Sequence, residues 1–147
     1  MKTPQLKNYG RTFFSAVLAF LIIIMLNACN RKIAFTNSTV VPGANGYVKV
    51  KKDKNNNYAI QISVINLADS KRLQPPKNTY VAWMVTNDNG TMNIGKLNSS
   101  SGFLSKTLKA SLQTVSTFKP KRIFITAEDD ATIRYPGSQV ILSTESF

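Results

Sequence analysis

The sequence contains no histidine, a single cysteine and only seven acidic residues among 147. Without histidine, neither a Ser-His-Asp triad nor the common histidine-containing zinc sites can be built. One cysteine excludes an internal disulfide, and no nucleophile motif surrounds any serine. The composition therefore predicts a protein that is not an enzyme and that uses no cofactor and no metal. A small hydrolase with a Ser-Lys or two-carboxylate site is the enzymatic alternative.

The single cysteine, Cys29, lies directly behind an apolar segment. Residues 13–26 are apolar except for one serine, and three basic residues precede them, which is typical of a secretory signal peptide. The sequence Leu26-Asn27-Ala28-Cys29 resembles the lipobox of bacterial lipoproteins, although Asn27 occupies a position that more often holds Ala, Ser or Thr. This resemblance implies cleavage between Ala28 and Cys29 and lipidation of the Cys29 sulfur.

Two other interpretations of this segment are weaker. An uncleaved transmembrane helix needs roughly 17 to 25 apolar residues, and this run is shorter. A disulfide needs a second cysteine. The predicted organisation is therefore a signal peptide over residues 1–28, a lipidated cysteine with a short tether over 29–37, and one domain over 38–147. The 119 residues from Cys29 onward are enough for one compact domain.

Short runs of alternating apolar and polar residues, separated by turn-forming residues, fill the domain. This pattern predicts an all-β sandwich or barrel. Residues 46–52 and 58–64 alternate around the polar segment 53–57, so they are predicted to form a hairpin. Residues 66–78 contain Pro75-Pro76 and are predicted to form a connecting loop.

The second half of the domain has the same character. Residues 80–85, YVAWMV, are apolar throughout and are predicted to form a central strand covered on both faces. Asp88-Asn89-Gly90 predicts a turn. Further strands are predicted over residues 91–97, 103–112, 121–127 and 138–144, with a short helix as the alternative over 103–112.

Three features have both a functional and a structural interpretation. Tyr80 and Trp83 could stack on a ligand, but their place in the most apolar strand favours the core between two sheets. Glu128-Asp129-Asp130 could bind calcium, but lacks the alternating donors and glycine of a calcium loop, which favours a solvated turn. Phe147 is an aromatic C-terminus like that of outer-membrane barrels, yet the lysine-bearing strands favour a sandwich.

Several segments resemble the extracytoplasmic C-terminal domain of anti-sigma-K factors. They are YVAWMV at 80–85, DNG at 88–90, IGKL at 94–97, ITAE at 125–128 and YPGSQVIL at 135–142. The likeness covers roughly residues 75 to 145 and implies an immunoglobulin-like β-sandwich of about seven or eight short antiparallel strands. The family's sigma-binding helical domain and membrane helix have no recognisable counterpart here. The matched residues are strand cores and turns, so neither a regulatory function nor a site residue is carried over.

From Cys29 onward, 16 basic and 7 acidic residues give a formal charge of +9. The prediction is a non-enzymatic lipoprotein of a Gram-negative envelope whose sandwich binds another envelope component, an envelope protein being the expected partner. A basic domain that binds a polyanion, anionic lipid or lipopolysaccharide is the alternative. Scattered lysines also keep a sheet protein soluble, which is the structural interpretation of the charge. No nucleic acid partner is predicted. Asn30 favours anchoring in the outer membrane, facing the periplasm.

Overall fold

The computed structural model describes residues 32–101 and 108–147, and these contain nine strands and one short 3₁₀ helix, Ser70–Arg72. The strands are β1 (Lys32–Ala34), β2 (Asn45–Lys52), β3 (Tyr58–Leu67), β4 (Thr79–Val85), β5 (Thr91–Lys96), β6 (Asn98–Ser101), β7 (Leu108–Ser116), β8 (Arg122–Glu128) and β9 (Val140–Ser143). The predicted signal peptide, Ala28 and Cys29 lie outside the described residues. Within these two ranges, no helix is long and apolar enough to cross a membrane.

The strands form two antiparallel sheets. One has five strands in the order β1-β2-β3-β7-β6, and the other has four in the order β5-β4-β8-β9. Apart from β1, these are the A-B-E-D and C′-C-F-G orders of an immunoglobulin-like sandwich. The predicted fold class is therefore confirmed. The described ranges contain more strands than predicted because β1 and β6 were not expected.

The core lies between the two sheets and follows from the alternation of apolar residues. Every second residue of a strand points to the same face, so one apolar set from each sheet meets the other. The inward residues are Val48, Ile60, Ile62 and Val64 from the five-stranded sheet and Tyr80, Ala82, Met84, Ile123 and Ile125 from the four-stranded sheet. Burial of each large apolar side chain contributes about 1.5 to 3 kcal/mol, which holds the sheets together.

The first sheet begins earlier than predicted. Residues Lys32–Ala34, assigned from the sequence to the tether over 29–37, form β1 and pair with β2, so that Lys32 lies opposite Lys49. Only three residues make this strand, and just one of them is apolar and half-buried, so the sequence pattern gave little indication of it.

After β1 the chain crosses to the other sheet. Phe35 is buried, its N–H donates to the Gly46 carbonyl at 3.1 Å, and it forms an isolated bridge with Thr144 beyond β9. The Thr36 N–H and hydroxyl both donate to the Ser143 carbonyl at 2.8 Å. Residues 32–36 therefore join one edge of each sheet.

A second crossing closes the opposite side of the sandwich. The chain passes from β5 in the four-stranded sheet directly to β6 in the five-stranded sheet through the buried residue Leu97. The Leu97 N–H donates to the Tyr80 carbonyl at 2.9 Å, which fixes the crossing point. The sequence of β6, NSSS, has no apolar alternation, which is why only β5 was predicted.

The structure also shows the two predicted turns and part of the segment 103–112, for which a strand and a helix were both considered. The Asp53 carboxylate accepts hydrogen bonds from the Asn55 and Asn57 N–H groups at 2.8 Å each, closing the predicted β2–β3 hairpin and lowering the pKa of Asp53. Gly90 has a φ of 65°, which suits glycine in the predicted β4–β5 turn. The strand interpretation of residues 103–112 is confirmed from Leu108 onward, where β7 begins, while residues 102–107 lie outside the described part of the chain.

Candidate binding surface

The outer face of the four-stranded sheet is covered by the loop between β8 and β9, residues 129–139. Asn93 of β5 lies on this face, and its side-chain amide donates to the carbonyls of Ala131 and Ile133, both at 2.9 Å. Asn93 pairs directly with Trp83 of β4, so the two side chains share this face. Trp83 is 0% exposed beneath the loop.

Trp83 is therefore buried, as predicted, but not between the two sheets. The inward residues of β4 are Tyr80, Ala82 and Met84, and Trp83 alternates with them. Because Tyr80 and Trp83 point to opposite sides of β4, they form no common stacking platform for a ligand. The Tyr80 hydroxyl donates to the Ala68 carbonyl at 2.8 Å, and burial raises the pKa of this phenol to about 12.

A chain of hydrogen bonds fixes the covering loop to the sheet. The Trp83 indole N–H donates to Thr126 Oγ1 at 2.7 Å, and the Thr126 hydroxyl donates to Glu128 Oε1 at 2.5 Å. The Gly137 N–H of the loop donates to the same Glu128 oxygen at 2.7 Å. The Phe124 ring stacks beside Trp83 with 6.3 Å between ring centroids. This face is occupied by the protein's own loop.

The three consecutive acidic residues point in different directions. Glu128 is only 5% exposed, so the predicted solvated turn is wrong for this residue, which ends a buried strand. Asp129 and Asp130 are exposed as predicted. Asp129 accepts from the Lys77 ammonium at 2.7 Å, and hydrogen bonds from Thr132 lower the pKa of Asp130. In the described ranges, no group of three or more His, Cys, Asp or Glu residues could hold a metal ion.

The outer face of the five-stranded sheet is open. Its strands carry five lysines and no acidic residue, whereas Glu128 belongs to the other sheet. Alternation with the buried residues places four of these lysines on the outer face: Lys32, Lys49, Lys51 and Lys109. The lysines therefore give this face a positive charge.

Cross-strand pairing arranges the open face in rows. Lys32, Lys49, Gln61 and Gln113 are directly opposite one another on β1, β2, β3 and β7. The Lys32 and Lys49 ammonium groups lie 4.8 and 5.5 Å from the centroid of the Tyr47 ring between them. Such cation–π contacts hold both ammonium groups near the sheet.

A shallow depression of about 420 Å³ lies in this face. Lys49 and Lys51 form one side, Gln61 and Gln113 contribute amide groups, and Ala59 and Val115 also line it. Val115 is 64% exposed, the most exposed large aliphatic side chain in the described residues. The depression combines positive charge, amide donors and acceptors, and a small apolar surface.

A smaller pocket of about 190 Å³ contains residue types that a Ser-Lys hydrolase would need. Ser70, Ser99 and Lys96 line it together with Asp69. Within residues 32–101 and 108–147, no hydrogen bond joins a serine hydroxyl to a lysine ammonium. The pocket therefore brings these residue types together without a hydrogen-bonded Ser-Lys pair.

No protein-family model, curated protein or solved structure matches the chain. The candidate surface therefore depends on the geometry described above.

The residues of the depression carry no motif that marks them as a binding site in the sequence. The sequence places Lys49 and Lys51 in the alternating segment 46–52 and Gln61 in the alternating segment 58–64, without marking any of them as a ligand-binding residue. The available signal was the alternation of β2 and β3, which places these residues on one face, but the pairing of Gln61 with Gln113 requires the strand order. The predicted lipidation residue, Cys29, lies outside the described residues.

Proposed function

We propose that this protein is a non-enzymatic lipoprotein of a Gram-negative envelope, anchored through Cys29, whose sandwich binds another envelope component through the open face. The observation that carries the proposal is the contrast between the two outer faces. The four-stranded sheet is covered by residues 129–139, whereas the five-stranded sheet presents lysines, amides and a depression to solvent. Sandwich domains commonly act by presenting a face or loops to a partner.

The resemblance to the outer domain of anti-sigma-K factors belongs to the same proposal. In this view the chain is a version of that outer module held at a membrane by lipid. The resemblance implies an immunoglobulin-like β-sandwich, and a β-sandwich is the fold observed. The regulatory role of that family is not part of the proposal.

The position of β1 supports an anchor close to the domain. Only Asn30 and Arg31 separate Cys29 from Lys32, the first residue of β1. Three residue steps of extended chain span about 10 Å, so the edge of the five-stranded sheet would lie next to the lipid headgroups. We expect the domain to face the periplasm from the outer membrane.

Replacement of the lipidated residue tests the anchor. Stable anchoring needs two acyl chains or an equivalent second signal. Cys29→Ser should therefore release the protein into the soluble envelope fraction or leave it unprocessed, as seen by membrane fractionation and gel migration. Normal processing and membrane recovery of this variant would contradict lipid anchoring.

Site-specific photo-crosslinking in intact cells tests the binding face. A photoreactive amino acid at Gln61 or Gln113 should give a defined crosslinked species, because both side chains lie in the depression. The matched control is Asn89, exposed in the β4–β5 turn. The species should disappear when Lys49→Glu is introduced. Crosslinking that is equal from Asn89, or that is unaffected by Lys49→Glu, would contradict the proposal.

A further inference from the structure

We infer that the open face binds an acidic glycan, a chain of hydroxyl-rich sugars that carries carboxylate groups. This inference depends on the proposed binding role of the open face and names the class of ligand. Four features of the depression lead to it: its charge, its amides, its shape and its apolar residues.

The charge of the face favours an anionic ligand. Lys49 and Lys51 project from the same side of β2 and line the same depression, and Lys32 lies directly opposite Lys49. The five strands of this sheet carry no acidic residue, so these lysines have no carboxylate partner on the sheet. Ammonium groups form their strongest hydrogen bonds with ionised acceptors such as carboxylates.

The amides favour a ligand that also carries hydroxyl groups. Gln61 and Gln113 are cross-strand neighbours in the depression, and neither side chain hydrogen-bonds to another residue in ranges 32–101 and 108–147. Each amide can donate two hydrogen bonds and accept two. The next row of the face adds the hydroxyls of Ser63 and Ser111, which are also cross-strand neighbours. Sugar hydroxyls, which both donate and accept, match this set.

The shape favours an extended chain over a membrane surface. Ala59 of β3 lies directly opposite Lys51 of β2 on one side and Val115 of β7 on the other. It therefore provides a short side chain between two longer ones. Adjacent strands are about 4.8 Å apart, so this row of three spans about 10 Å, close to the width of one or two sugar rings. A planar layer of headgroups would contact the lysine ends but not the floor at Ala59.

The apolar contacts argue against a protein partner. Val115 and Ala59 are the apolar side chains that line the depression on the outer face. Protein interfaces concentrate their binding energy in buried aromatic and large apolar anchors. The carbon-bearing face of a sugar ring needs only a small apolar contact of this kind. An acidic glycan therefore uses every group in the depression.

Binding of oligogalacturonate, a chain of uronic acids, tests the inference. Its methyl ester, which keeps the sugar backbone but loses the charge, is the matched ligand. The full lipidated chain in non-ionic detergent is titrated with each ligand by calorimetry at 0.15 M salt. We expect saturable binding of the acid and at least about a tenfold weaker affinity for the ester.

Three pairs of substitutions locate the site. Lys49→Gln with Lys51→Gln should weaken binding about tenfold or more, whereas Lys71→Gln with Arg72→Gln removes the same two charges outside the depression and should leave the affinity within about twofold. Gln61→Ala with Gln113→Ala changes no charge and should still weaken binding severalfold. Thermal unfolding of each variant shows that it is folded.

Several outcomes would overturn the inference. An equal loss of affinity in the Lys49/Lys51 and Lys71/Arg72 variants would indicate nonspecific electrostatic binding. No loss of affinity in the Gln61/Gln113 variant would indicate the same. Binding to phosphatidylglycerol vesicles but not to oligogalacturonate would identify a membrane surface instead. If Lys49→Glu abolishes a crosslink to a protein while no glycan binds, the glycan inference fails and the proposed binding role of the face stands.

Discussion

The outer faces of the two sheets differ in what covers them. On the four-stranded sheet, residues 129–139 cover Trp83 and are held by hydrogen bonds to Asn93 and Glu128. On the five-stranded sheet, lysines, glutamines and serines of similar strands face solvent. On the first face, Asn93, Trp83, Thr126 and Glu128 are hydrogen-bonded within the protein, although the buried atoms Thr79 Oγ1 and Gln139 Oε1 have no partner in the described part of the chain. On the second face, the polar groups are available to a ligand. Stability and binding are therefore expected to respond to substitutions on different faces.

The largest difference between the faces should come from Trp83. Truncating a buried aromatic residue costs about 3 to 5 kcal/mol, so Trp83→Ala should be strongly destabilised in chemical denaturation. Gln113→Ala on the open face should change the unfolding free energy by less than about 0.5 kcal/mol. Similar losses in both variants would contradict the division between a covered and an open face.

Tyr80, on the inner side of the strand that carries Trp83, should give a pH-dependent effect. Its pKa rises from the usual 10.0 to about 12 because the folded protein buries the neutral phenol. The corresponding stability, at most about 3 kcal/mol, is present below pH 10 and is lost as the pH rises towards 12. Between pH 10 and 12, the unfolding free energy of Tyr80→Phe should therefore fall less steeply with pH than that of the wild type. Tyr135→Phe, at a residue 83% exposed, should behave like the wild type.

Glu128 should give an intermediate effect through the covering loop. Glu128→Ala leaves the Thr126 hydroxyl and the Gly137 N–H without their acceptor, which should cost about 1 to 3 kcal/mol in thermal or chemical unfolding. Glu128→Gln keeps an acceptor oxygen and should cost less. Asp129→Ala removes an exposed ion pair with Lys77 and should cost at most about 1 kcal/mol. A larger effect at Asp129 than at Glu128 would indicate that the ion pair holds the loop.

The smallest effect on stability should come from the open face itself. Lys49→Glu with Lys51→Glu should unfold within about 1 kcal/mol of the wild type, because both residues lie on the face that nothing in the described chain covers. The same variant should lose the crosslinks from Gln61 and Gln113. If this variant is markedly destabilised but keeps its crosslinks, the open face contributes to stability and not to binding, which would contradict the proposal.

The sequence predicted the strands that have clear apolar alternation, and it predicted the sandwich. β2, β3, β4, β5, β8 and β9 appear within a few residues of their expected positions because burial of one face, or of both in β4, leaves a direct pattern in the sequence. β1 and β6 were missed because they are short edge strands whose pairing depends on neighbours distant in sequence. The local pattern of apolar and polar residues does not indicate pairing between strands that are distant in sequence.

The burial of Trp83 and Glu128 shows a second limit of sequence reasoning. Alternation indicates that Trp83 and Tyr80 lie on opposite faces, but an apolar run covered on both sides does not reveal what covers each side. The cover over Trp83 is a loop that contains Thr132, Arg134 and Gly137, and its sequence resembles that of an ordinary solvated turn. Because this loop folds back over the sheet, Glu128 is a buried hydrogen-bond acceptor and not a surface charge.

The joining of both sheets by residues 32–36 has a mechanical consequence. If the chain is anchored by lipid at Cys29, as proposed, tension between the membrane and a bound partner would enter the described domain at Lys32, the start of β1. A pull along the axis of β1 loads its bonds to β2, the Phe35 bond to Gly46 and the two Thr36 bonds to Ser143 together instead of one after another. Because these contacts lie on both sheets, the load is divided between the two halves of the sandwich. The N-terminal segment would thus act as a shear-resistant attachment, and its rupture force would set how hard a partner can pull before the domain unfolds.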